Sequence, residues 1–234
     1  MSSSEDSTKR AISAALRQLA AQRPLDKVRA VDIQRAAHVS HRTFYYHFAD
    51  KFDVVVWTFC RDIRKVFEQA GINVAACIDD GEDADLPRLL PPLEQHPHRP
   101  VYRAYVRGLV ELLSEYRAYY CSVFASDERR NLRGYLEEAN YRALRQDLSH
   151  LLRDIEVSEY EMYTIGHYLA DADVASVLRL VDSEASVEII DERGFELISP
   201  LTPLLLQFAA NYLRARYAEG GEVPEQWVTS AQGS

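Results

Sequence analysis

Apolar residues recur along this chain at the spacing of one helix face, not in strand-like alternation. Ile12, Ala15, Leu16, Leu19 and Ala20 fall at i, i+3, i+4, i+7 and i+8, which predicts a helix over residues 8–22. Pro24 stops it. A short segment follows at 30–37, with Ile33, Ala36 and Ala37 on one side, and His38-Val39-Ser40 then breaks the pattern. Ser40 is placed to cap a third helix over 41–48, and Asp50 a fourth, whose Phe52, Val55, Val56, Phe59, Ile63 and Phe67 keep core spacing.

The periodicity fails between Gly71 and Pro100, where an acidic run (Asp79 to Asp85) and several prolines read as an exposed connection. Helical patterns return over 101–115, 116–125, 128–155, 158–181 and 201–217. Residues 187–198 read either as a hairpin turning at Gly194 or as a broken helix. The predicted class is all-α. A three-helix head with a helix-turn-helix occupies residues 1–67, its linking helix starting near 51, and a helical body occupies 68–234.

The third helix carries the chemistry. On a wheel of 100° per residue, Phe44 and Phe48 point together toward the core. Arg42 and Tyr46 point away, flanked by Thr43, Tyr45 and His47. Stability gives little reason to anchor a short helix by two aromatics while it presents Arg, Thr, Tyr and His outward. Such groups donate to phosphates and read base edges. Helix, three-residue turn, helix is the spacing of a helix-turn-helix, whose second helix enters the major groove. Charge agrees with this. The chain carries −9 overall, yet residues 1–65 hold twelve Lys/Arg against seven Asp/Glu, a balance of +5. The remainder holds fifteen against twenty-nine, a balance of −14. A basic end on an acidic body fits a protein that meets phosphates at one end only.

The run from Asp32 to Lys51 (DIQRAAHVSHRTFYYHFADK) resembles the helix-turn-helix of the TetR/AcrR family of transcriptional regulators, and the likeness extends over about residues 8–67. It implies that Thr43, Tyr45, His47 and Lys51 contact operator phosphates, that His41, Arg42 and Tyr46 face base edges, and that Phe44 and Phe48 are core. It also implies a homodimer on a palindromic double-stranded DNA operator, a small-molecule effector, and repression as the commoner outcome. The two helices over 158–181 and 201–217, with Leu178 and Leu205 among their apolar residues, are expected to pair with their copies as a four-helix bundle. Two positions depart from the family pattern. His38 stands where glycine is usual, and Arg29-Ala30-Val31 stands where a Thr cap and a polar reader are usual. Arg29 is then the phosphate contact expected there, while Val31 has nothing with which to bond a base.

The remaining features change the picture less. No stretch approaches the roughly 20 apolar residues of a membrane span. The polar start MSSSEDSTKR has no apolar signal core, so a cytoplasmic protein is expected. Three widely spaced cysteines, Cys60, Cys77 and Cys121, suit a reducing compartment better than a disulfide framework. No nucleophile elbow or phosphate-binding glycine loop is present, so neither an enzyme nor a cofactor is expected. His167 and Asp171, at i and i+4, have metal-ligand spacing without a third ligand, and His96 and His98 read as a solvated loop, so no metal is expected. Tyrosines crowd the body, and Tyr105, Tyr119, Tyr163 and His167 are the candidate lining of an effector pocket, suited to a largely apolar ligand, neutral or cationic. The competing reading is an adaptor that keeps the fold but holds a partner protein instead of an operator.

Overall fold

The computed structural model describes residues 3–73, 99–182 and 201–218. Among them the chain is helical throughout, in nine α-helices and one short 3-10 turn. The head holds α1 (Ser3–Gln22), the 3-10 turn Leu25–Lys27, α2 (Ala30–Ala36), α3 (His41–His47) and the start of α4 (Lys51–Gln69). The body holds α5 (Arg99–Glu115), α6 (Arg117–Phe124), α7 (Leu132–Leu151), α8 (Glu159–Asp182) and α9 (Leu201–Ala218). Residues 187–198, His96 and His98 lie outside the described residues.

Local chemistry sets most of the ends. The Ser40 hydroxyl accepts from the Thr43 N–H at 3.0 Å and the Asp50 carboxylate from the Asp53 N–H at 3.0 Å, so both expected caps form. Two boundaries differ from the periodic reading. The first helix starts at Ser3, not near 8, with Glu5 and Asp6 in its first turn, where negative charge offsets the helix dipole. The helix expected over 128–155 is shorter, because the Asn131 side chain accepts from Gly134 N–H at 2.9 Å and starts α7 at Leu132. Residues 152–155 form a turn.

Two groups of buried side chains hold the molecule. The larger runs from Ile12 and Leu16 through Ile33, Phe44, Phe48 and Phe59 to Phe67, Tyr105, Tyr120 and Leu136, and on to Val174 and Val181 near the end of α8. It therefore crosses the boundary expected at residue 67 without a break. The smaller joins the second half of α7 (Leu144, Leu148) to the first half of α8 (Met162, Leu169) and to α9 (Leu206, Ala210, Leu213). The α7–α8 pairing needs Gly166, since a Cβ there would lie 2.9 Å from the Tyr141 ring.

A charged cluster is enclosed where α1, α4 and α6 meet. Arg17 bonds Asp62 at 2.5 Å, Tyr120 donates to the same carboxylate at 2.7 Å, and the guanidinium lies 3.6 Å from the Tyr116 ring centre. Burial, the largest influence on Arg17, opposes its charge, but Asp62 and the neighbouring tyrosines outweigh it and hold the guanidinium more firmly protonated than usual. Removing one member of such a pair costs about 3–5 kcal/mol, because the partner is left buried and uncompensated.

Candidate nucleic-acid interface

The turn before α3 requires one residue in the left-handed region. His38 takes it, with φ 55°, the only non-glycine among the described residues to do so. Histidine tolerates that conformation at some cost, which is the departure from glycine expected at this position. The usual cap at the start of α2 is replaced from the other direction. Asp32, three residues on, accepts from the Arg29 backbone N–H at 3.1 Å and pairs with Arg23 at 3.0 Å. Those hydrogen bonds and charges hold the Asp32 carboxyl below its ordinary range, the Arg29 backbone contributing most. The Arg29 side chain stays out in solvent, 3.6 Å from Asp32, and Val31 beside it is exposed.

Helix α3 is anchored as expected. Phe44 and Phe48 are buried, with ring centres 6.3 Å apart, and Phe48 meets the Trp57 ring edge-on. The opposite side is open. Tyr46 is 72% exposed, the His41 and Tyr45 rings lie tilted with their centres 4.5 Å apart, and His47 lies against Tyr46. The Thr43 hydroxyl shares a hydrogen bond with Ser40 at 2.8 Å. Arg42 is exposed and, among the described residues, has no partner, so a full positive charge stands free on this face. The Tyr46 hydroxyl reaches Glu5 at 3.3 Å, a link across 41 residues that no spacing rule announces.

Lys51 is placed differently from the other candidates. Its ammonium donates to the Leu25 and Val28 carbonyls at 2.9 and 3.0 Å and pairs with Glu128 at 2.6 Å, leaving its side chain 15% exposed. It ties the start of α4 to the chain ahead of α2 and is not presented with the α3 set. The Leu25 carbonyl opens the 3-10 turn and already accepts from the Val28 N–H at 2.9 Å, so the ammonium adds a second bond there and a donor for the Val28 carbonyl just past the turn.

The four effector-pocket candidates do not meet. Tyr105 and Tyr119 are fully buried in the larger core, Tyr105 against Phe67 and Tyr119 against Tyr120. Tyr163 and His167 lie instead on α8, where His167 stacks on Tyr141 at 3.8 Å and Tyr163 is half exposed. Shared residue type grouped them, while the tertiary fold separates them. The expected dimer residues also part company. Leu178 packs against the larger core of its own chain, whereas Leu205 is exposed with Leu204 and Phe208 on α9. Tyr160, Tyr163 and Tyr168 are exposed on α8. A cleft of about 380 Å³ lies between the end of α1 and α6, lined by residues including Arg23, Leu25, Cys121 and Ser122. No described helix is long and apolar enough to cross a membrane.

Comparison with known proteins agrees with this head and this fold. The family model of bacterial regulatory proteins of the tetR family matches residues 12–56, which take in most of α1, all of α2 and α3 and the start of α4. No curated protein sequence matches the chain. Among solved structures, the dihydroxyacetone kinase operon activator DhaS superposes with a TM-score of 0.50 at 17% identity, over 86% of this chain and 97% of that one, a likeness of fold. The head built by α1 to α4 is similar, over residues 12–56, to that of the bacterial regulatory proteins of the tetR family.

Proposed function

We propose that the protein binds a palindromic DNA operator as a homodimer and that a small-molecule effector controls this binding. The observation that carries the reading is the outer face of α3, where an exposed Arg42 with no partner among the described residues stands beside an exposed Tyr46 on a helix pinned from behind by Phe44 and Phe48. In the major groove Arg42 donates in pairs to guanine, and His41 and Tyr46 meet neighbouring base edges. Thr43, Tyr45, His47 and the solvent-facing Arg29 contact phosphates. Lys51 serves the same site indirectly, by holding the stems of the helix-turn-helix together.

Dimerisation buries the exposed apolar residues of α9 (Leu204, Leu205, Phe208) together with the exposed tyrosines of α8. The effector shifts the population between two arrangements of the body that set the heads differently. The −14 of the body favours a neutral or cationic effector over an anionic one. The protein acts in the cytoplasm, with its operator.

Selection of bound sequences from a random duplex pool tests this. A palindrome should emerge, with affinity falling steeply as salt rises, because phosphate contacts release counterions. A pool that stays random, with binding indifferent to salt, would overturn operator binding and leave the adaptor reading.

A further inference from the structure

One short body segment holds both stems of the helix-turn-helix. The stem ahead of α2 is residues 23–28, and the stem after α3 is residues 50–53. From the last turn of α6, Ser122 Oγ accepts from Leu25 N–H at 2.8 Å and donates to the Arg23 carbonyl at 3.3 Å. Ser126 Oγ donates to Asp26 at 2.5 Å. Glu128 pairs with Lys51 at 2.6 Å, and Lys51 in turn bonds the Leu25 and Val28 carbonyls, so one carboxylate reaches both stems. Arg130 forks onto Asp50 at 2.8 Å and Asp53 at 3.2 Å, with its guanidinium 4.5 Å from the Phe52 ring. Asp50 and Asp53 are also the groups that close the turn from α3 into α4, accepting from Asp53 N–H and Ala49 N–H.

The Arg130 contacts do little for stability and much for direction. Arg130 and its partners are largely exposed, and exposed ion pairs contribute little to folding. A two-pronged guanidinium nevertheless fixes angle as well as distance. The reading helix sits between two stems that are both referred to the body, so its orientation is set there and not by the head alone.

We infer that Glu128 and Arg130 are positioning residues for the spacing of operator half-sites. They lock each head to its body, and the dimer then accepts one separation. The inference rests on the operator-binding dimer proposed above. Each added base pair moves the second half-site by about 3.4 Å and turns it by roughly 35°. Heads held at fixed orientation fail to follow that rotation, and heads on a loosened clamp follow it.

The test uses the full chain and duplexes carrying the half-sites that it enriches, with their separation changed by one or two base pairs. Wild type should lose about tenfold or more in affinity at one base pair off its preferred separation. Arg130→Ala and Glu128→Ala, singly and combined, should reduce that loss to about threefold or less while binding a lone half-site as wild type does. Thermal melts of each variant check that the fold is kept, and the single substitutions serve if the double one unfolds. Arg145→Ala, which breaks an exposed pair with Glu159 far from the head, should leave the spacing profile untouched. Variants that keep the full wild-type penalty would overturn the inference while operator binding stands. Failure of wild type to enrich any half-site would overturn both together.

Discussion

At the residue scale, the outer face of α3 and the enclosed tyrosines make opposite demands on a hydroxyl or a charge. Arg42 has no partner among the described residues, so on the proposed reading its worth is realised only on DNA. Arg42→Ala should leave the melting temperature unchanged, relax base preference at one position per half-site and cost roughly 1–3 kcal/mol there. Position weights from the selection experiment read it directly. Inside, two adjacent tyrosines should differ. Among the described residues the buried Tyr119 hydroxyl approaches only the Thr58 hydroxyl, which is already committed to Ser13 and to the Val54 carbonyl. The Tyr120 hydroxyl donates to Asp62, and burial followed by that carboxylate's charge pushes its ionisation well above the ordinary tyrosine range. Tyr119→Phe should thus be neutral or stabilise by up to about 1 kcal/mol, and Tyr120→Phe should destabilise by roughly 1.5–3 kcal/mol. Urea unfolding of the two variants separates the cases.

At the element scale, α9 is the helix whose attachment should respond to acid. Arg214 forks onto Asp154 at 2.8 and 3.1 Å and also reaches the Leu151 carbonyl, and the Tyr217 hydroxyl bonds Glu161 at 2.5 Å and Ser158 N–H at 3.0 Å. The Arg214 hydrogen bonds hold the Asp154 carboxyl below its ordinary value. Burial, the largest influence on Glu161, raises it, but bonds from Tyr217 and Ser158 together with Arg216 bring it below its ordinary value. A carboxyl depressed by folding stabilises above its unfolded pKa, and that contribution is lost as pH falls through the folded value. Amide exchange in α9 should therefore rise on acidification before exchange in α1 and α4 does, and Arg214→Ala should raise α9 exchange already at neutral pH and weaken its response to acid. Equal acid responses in all three helices would contradict this. The same helix carries the proposed dimer face, so Leu205→Glu should shift sedimentation toward monomer, whereas Leu178→Glu, set against the chain's own core, should unfold it.

Elements of this kind were legible where the determinant is local. Ser40, Asp50 and the Phe44/Phe48 pair act within four residues of themselves, and the reading of α3 follows from them alone. The Asn131 cap was equally local, but the apolar spacing continued past it and set the expected boundary too early. Lys51 is the instructive case. Its family position suggested a phosphate contact, while its partners lie 26, 23 and 77 residues away and are visible only after folding. Leu178 and Leu205 show the same limit from the apolar side. Periodicity says that a face is apolar and is silent on which surface covers it.

At the scale of the whole molecule, the unbroken core from Ile12 to Val181 bears on how the protein can be rebuilt. A modular reading would treat residues 1–67 as a cassette, to be cut out or grafted onto a foreign sensor. Here Phe59, Ile63, Val66 and Phe67 of α4 are buried in the same group as Tyr105, Val110 and Tyr120 of the body. Excision would bare them, along with an Asp62 stripped of its Tyr120 donor. A fragment ending at residue 67 should stay unfolded by circular dichroism and bind duplex only weakly. A chimera should fold only if the recipient also takes α5, α6 and the end of α8. The unit of engineering in this protein is the seam together with the head.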